Sequence, residues 1–147
     1  LKDNFYSMRV IPIYPNWKKP RLFSAYHLCI RLYNIDYGRF SNSKVHDSVE
    51  TNFQKITALK KPVFHKSVRS FNHLIIKENN YIKMQASTLE KSNKFILCFR
   101  LLFEFPLAFI KYYIIRRHFT GYLTGFFTAL ILAYFRLKRV MLFLKAK

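Results

Sequence analysis

The stretch RLYNIDYGRFSNSKVHDSV, residues 31–49, sets an imidazole beside a carboxylate, His46-Asp47, shortly after a Gly-Arg-Phe-Ser run. These two side-chain types suit proton transfer, since a carboxylate can take a proton from a hydroxyl and an imidazole titrates near neutral pH. The commoner use of such a pair is to satisfy hydrogen bonds at a strand end. Competing chemistry is scarce. The 7 acids, Asp3, Asp36, Asp47, Glu50, Glu78, Glu90 and Glu104, include no D-x-D pair able to hold a divalent metal with a diphosphate. The chain contains no G-x-x-x-x-G-K-S/T loop, no G-x-G-x-x-G and no G-x-S-x-G. The 5 histidines, His27, His46, His65, His73 and His118, lack metal-ligand spacing. Cys29 and Cys98 form no C-x-x-C, which argues against a zinc site or disulfide framework and predicts two buried, inert thiols in a reducing compartment.

The elements around this pair must fit a chain of 147 residues, enough for one modest domain with a core. It opens on Leu1 and shows no secretory signal pattern, so it reads as the tail of a longer protein. Lys and Arg number 26 against 7 acids, giving a net charge of +19 and predicting a polyanionic neighbour. Aromatics make up 18% of the residues, and the cations are scattered among Phe, Ile, Leu and Tyr. That pattern favours an anionic membrane surface or a nucleotide phosphate over nucleic acid.

Three regions follow one another without internal repeats. In residues 1–62, MRVIPIYPNWKKPR holds three prolines and a Trp, which predicts irregular chain rather than a central strand, whereas HLCIRLY and SKVHDSVE predict two short strands. In residues 63–93, Phe71, Ile75, Ile82, Ala86 and Leu89 recur at helical spacing. This predicts an amphipathic helix capped near Ser67 or Ser70, with Lys77, Glu78, Lys83 and Glu90 on a solvated face. Residues 94–147 carry ten basic side chains and a single acid, Glu104, among long apolar runs, and Pro106 is expected to break or begin a helix there. The uncharged run 119–135 would extend about 25 Å as a helix, short of a hydrocarbon core of about 30 Å. Cations at both of its ends favour a helix lying against a membrane face over a span. Gly121, Gly125, Ala129 and Ala133 recur every four residues, a stripe of small side chains that admits another helix closely. Packing onto residues 101–115 of the same chain is the simpler use of that stripe, and a homo-oligomer contact is the other.

The order of landmarks resembles the C-terminal half of bacterial family 2 glycosyltransferases of the lipopolysaccharide-core type, from about Tyr14 onward. The resemblance rests on Arg31-Leu32-Tyr33, on Gly38 to Ser41, on Val45-His46-Asp47, on His65-Lys66-Ser67, on Asn79-Asn80-Tyr81 with Ala86, and on the aromatic, Gly-x-x-x-Gly-containing stretch 109–127.

That resemblance implies the end portion of a GT-A, Rossmann-like enzyme: an α+β fragment, mainly α, with short strands in its first third and membrane-apposed helices after them. It implies transfer from a nucleotide sugar to a lipopolysaccharide or other cell-envelope glycan acceptor at the inner face of the cytoplasmic membrane. By carry-over, Asp47 is the base that deprotonates the acceptor hydroxyl, and His46 faces the metal or the diphosphate. Arg31, Arg39 and His65 contact phosphate or acceptor. The full-length enzyme would use Mg or Mn, whose D-x-D site and whose donor-binding half are not in this chain, so the fragment alone is expected to be inactive. The competing expectation is a small basic protein of membrane surfaces or nucleic acids, without catalysis.

Overall fold

A strand forms where proline-rich, irregular chain was expected. In the computed structural model, which describes residues 3–41, 48–86 and 94–145, β1 (Phe5–Pro12) is the central strand of the larger sheet. β2 (His27–Tyr33) pairs with one edge of β1 antiparallel. On the other edge β5 (Ile56–Ala58) lies parallel to the first half of β1 and β6 (Val63–His65) parallel to the second. Phe5, Tyr6 and Ser7 are buried in succession. A strand covered on both faces shows no alternation, and that is why periodicity missed it. Pro12 stands at the last position, where a missing N–H interrupts no further ladder. Opposite the step from Tyr6 to Ser7, the partner register moves from Leu32 to Ile30, so Arg31 is the extra residue of a bulge, a device that re-aims a side chain.

β3 (Arg39–Phe40) and β4 (Val49–Glu50) form a separate antiparallel ribbon. Of the second expected strand, Val49 and Glu50 are strand; 42–47 lie outside the described residues.

α1 (Phe71–Ala86) begins, as expected, at Ser70, whose Oγ accepts the N–H of His73 at 3.1 Å. Leu74 and Ile82 are its buried residues, while Ile75 turns outward. The predicted solvated face is only partly so. Glu78 is half-buried in a crevice of about 140 Å³ between α1 and α3 (Tyr122–Lys145), shared with Arg136 and Arg139. Burial pushes its carboxyl above the usual range, against the pull of Lys77 and Arg139.

α2 (Lys94–Ile110) runs through Pro106 instead of breaking there. Pro106 and Leu102 both face outward, so the carbonyl that loses its helical partner lies on the solvent side, where water can satisfy it. A five-residue π-helical turn, Lys111–Ile115, and a 3₁₀ turn, His118–Gly121, lead into α3. The uncharged run 119–135 is therefore divided between a tight turn and the first part of α3. No described helix is long and apolar enough to cross a membrane. α3 packs on α2 and α1, and Glu104 ties α2 to α3 by pairing with Arg100 at 2.9 Å and Arg136 at 3.0 Å.

The small-residue stripe is buried within the chain. Its glycines meet a partner not foreseen: a Cβ on Gly121 would overlap the Tyr14 ring, and one on Gly125 would run into the carbonyl of His118. The expectation for the thiols is also corrected. Cys29 is half-buried, and Cys98 is exposed because it lies on the outward side of α2.

Candidate functional site

The β3–β4 ribbon sits at the end of a short turn that leaves β2. Tyr37 donates its N–H to the carbonyl of Asn34 at 3.1 Å, and the Asn34 side chain accepts the N–H of Asp36 at 3.0 Å. Gly38 follows because nothing larger fits: a Cβ there would press on the Phe5 ring and on the carbonyl of Glu50. Arg39 then pairs with Glu50 and Phe40 with Val49. Ser41 donates its N–H to Ser48 at 2.8 Å, and the two hydroxyls lie 3.1 Å apart. These two serines bracket 42–47, so His46 and Asp47 lie outside the described residues.

Against this ribbon is an open cavity of about 540 Å³ lined by Asp36, Tyr37, Arg39, Glu50 and Asn52, with Ile35 and Gly38. A guanidinium, two carboxylates, an amide and a phenol around one concavity can grip a polyhydroxylated ligand by several hydrogen bonds at once. Asn52 and Phe53 both take left-handed backbone, at φ 46° and 61°, redirecting the chain from the ribbon towards β5. Of these lining residues only Gly38 and Arg39 were singled out from sequence. Asp36, Tyr37, Glu50 and Asn52 carry no motif, and it is the pairing of β3 with β4 that assembles them.

Arg31 leans towards the same ribbon. Its guanidinium lies 5.7 Å from the centre of the Phe40 ring, which itself meets Tyr33 edge-on at 5.8 Å. Arg31 also borders a second group. His27 is held below the usual imidazole value first by desolvation and then by the charges of His65, Arg116 and Arg31. The sheet explains the proximity, because Val10 of β1 stands between His27 on β2 and Val63 on β6, and His65 is two residues further on. Thus Arg31 and His65 share an electropositive neighbourhood, while Arg31 and Arg39 flank the ribbon. The backbone of His65 also accepts the N–H of Ile13 at 3.0 Å, so this residue helps hold the sheet edge.

A third cluster was not anticipated. The Tyr14 hydroxyl and Nδ1 of His118 are hydrogen-bonded at 2.6 Å across 104 positions of sequence, both residues being buried. Burial pushes the Tyr14 phenol up to about 12, against the opposing pull of Arg21. Burial, then the charges of Arg21 and Arg116, push the His118 imidazole down to about 3. A neutral imidazole hydrogen-bonded to a protonated phenol follows. Arg21 is 5% exposed and donates to the carbonyls of Arg116 at 2.8 Å and Arg117 at 3.3 Å, at the negative end of the helical stretch. Its guanidinium lies 5.1 Å from the Tyr14 ring centre. Trp17 meets Tyr14 edge-on at 5.4 Å. This cluster joins the segment between β1 and β2 to the helices. It borders no cavity named above, and its chemistry is structural.

Among the described residues no three His, Cys, Asp or Glu side chains gather to hold a metal ion. The metal reading of His46 falls outside the described residues.

Comparison with known proteins finds relatives that are named glycosyltransferases. The chain is 35% identical over 143 residues to a Rickettsia conorii protein named uncharacterized glycosyltransferase, covering 92% of this chain and 51% of that protein. Similarly named proteins of Rickettsia felis and Rickettsia prowazekii match at 35% identity over the same share of this chain. The chain spans about half the length of the curated relatives it matches. No family model matches it. No solved structure matches it either.

Proposed function

We propose that this chain is the acceptor-side portion of a family 2, GT-A type glycosyltransferase that moves a sugar from a nucleotide sugar to a lipopolysaccharide or related cell-envelope glycan. The observation that carries the reading is 35% identity, over 92% of the chain, to proteins named glycosyltransferases. In this reading the acceptor saccharide rests in the cavity beside Arg39 and Glu50. Asp47 takes the proton of the acceptor hydroxyl as its oxygen attacks the anomeric carbon. The bond from that carbon to the departing nucleoside diphosphate breaks, and its electron pair leaves with the diphosphate. Arg31, whose guanidinium stands over the Phe40 ring beside the ribbon, offsets charge on the phosphates. Mg or Mn belongs to the whole enzyme in this reading, and no step here is assigned to it.

The test is to express the protein from its complete reading frame and assay transfer from a panel of nucleotide sugars to cell-envelope glycan acceptors. Transfer is expected with one donor class, and Arg39→Ala should raise the acceptor KM about tenfold with little effect on the donor KM. Absence of transfer and of nucleotide-sugar binding across the panel would overturn the reading.

A further inference from the structure

The crevice between α1 and α3 gathers more positive charge than its acids offset. Among the described residues, three guanidiniums, Arg100, Arg136 and Arg139, stand against two carboxyls around it, Glu104 and Glu78. Glu104 is committed to Arg100 and Arg136. Arg139 is held below its usual value first by burial and then by the charge of Arg136. Arg100 adds to that repulsion, while Glu104 and Tyr112 oppose it. A half-buried cation crowded by another cation gains from an anion that bridges the two.

The lining shows which anion fits. Arg136 uses its Nε on Glu104 at 3.0 Å, and Arg139 its Nη1 on the Gln85 side chain at 3.1 Å, so each fork has further N–H donors to offer. Tyr112, from the π-helical turn, and Tyr81, at the exposed rim, belong to the same lining, and Ile82 and Phe135 form a buried apolar wall. A volume of about 140 Å³ corresponds to roughly four waters, room for a tetrahedral oxyanion and too little for a sugar or a nucleotide. Glu78 is the selective element, a carboxyl set among donors. Sulfate has no proton to give to a carboxylate at neutral pH. Monohydrogen phosphate has one, and can donate it in a hydrogen bond to Glu78 while its other oxygens accept from the guanidiniums. A phosphate ester at mildly alkaline pH has lost that proton.

We infer that the crevice bounded by Glu78, Arg136 and Arg139 is a binding site for inorganic phosphate in its monohydrogen form. It shares no residue with the ribbon cavity. Its test reads binding, not transfer, so it survives or fails apart from the glycosyltransferase reading.

Inorganic phosphate is titrated calorimetrically into the 147-residue chain at about pH 8, with sulfate as the matched dianion. Phosphate should bind roughly tenfold or more tightly than sulfate, because a site built to accept a ligand's proton rejects the analogue lacking it. Arg139→Gln should weaken phosphate binding about tenfold or more while circular dichroism stays unchanged. Lys60→Gln/Lys61→Gln removes two exposed cations elsewhere on the chain and should leave phosphate affinity within about twofold. Glu78→Gln puts an amide N–H where the carboxylate only accepted, and should gain sulfate until the two anions differ by about threefold or less. A gain of sulfate is not what loss of structure produces, so this variant carries the test even where Arg139→Gln unfolds. Equal binding of phosphate and sulfate by the native chain, native phosphate affinity in a folded Arg139→Gln, or an equal loss in the lysine variant would each overturn the proposal. So would tighter binding of glycerol 1-phosphate or of phosphatidic acid micelles than of inorganic phosphate, which would assign the crevice to an ester or a lipid headgroup.

Discussion

The β3–β4 ribbon and the Tyr14–His118 joint are built on opposite plans. The ribbon is two residues long on each strand, with Arg39, Phe40 and Glu50 exposed around an open cavity. The joint is closed, and its phenol, imidazole and guanidinium satisfy one another or the end of a helix out of contact with water. Polar groups removed from water must be paired, and that makes the joint rigid and intolerant of change. Polar groups left at an open rim keep their hydrogen-bonding capacity for a ligand. The molecule therefore spends its buried polar chemistry on holding strands to helices and leaves its exposed polar chemistry at the ribbon.

This contrast can be broken most severely at Gly125. Gly125→Ala drives a methyl group into the carbonyl of His118, which is backbone and cannot swing aside. It should destabilise the fold by about 3 kcal/mol, measured as a lower midpoint of urea unfolding.

Acid comes next. His118 is held at about 3 in the folded chain against 6.5 when free. Between those values the unfolded chain binds the extra proton, so stability rises with pH there. The contribution is complete above about 6.5 and is lost as pH falls through about 3. His118→Gln, whose amide oxygen can still accept from Tyr14, should be less stable than the native chain at neutral pH yet lose less stability on acidification. Parallel unfolding curves at each pH check this.

The smaller effect sharpens the comparison from the helix side. Glu104→Gln leaves Arg100 and Arg136 without their shared carboxylate. Both arginines are partly exposed and can turn to water, so the cost should be about 1–2 kcal/mol, read by thermal unfolding. It should leave any saccharide binding at the ribbon unchanged.

What the sequence made legible was local. β2 is a short proline-free run rich in Leu, Ile and Tyr, Ser70 lies just before an apolar period, and the small-residue stripe repeats every four residues, so each announces itself within a few positions. β1 was hidden because burial of Phe5, Tyr6 and Ser7 in succession erases alternation, and the continuation of α2 through Pro106 because a proline on an exposed face costs less than one inside. Tyr14 and His118 are joined across 104 positions, a distance no pattern spans. At the candidate site, Gly38 and Arg39 were readable from the run they belong to. Asp36, Glu50 and Asn52 were not, since their convergence depends on which strand pairs with β3.

The most direct test of the central claim, that the ribbon carries the acceptor-side chemistry, is a comparison of Asp47→Asn with the native sequence in the protein made from its complete reading frame. Transfer from the nucleotide sugar should fall at least a thousandfold in kcat, with donor binding and the unfolding midpoint preserved. Transfer at the native rate by the Asp47→Asn protein would contradict the account.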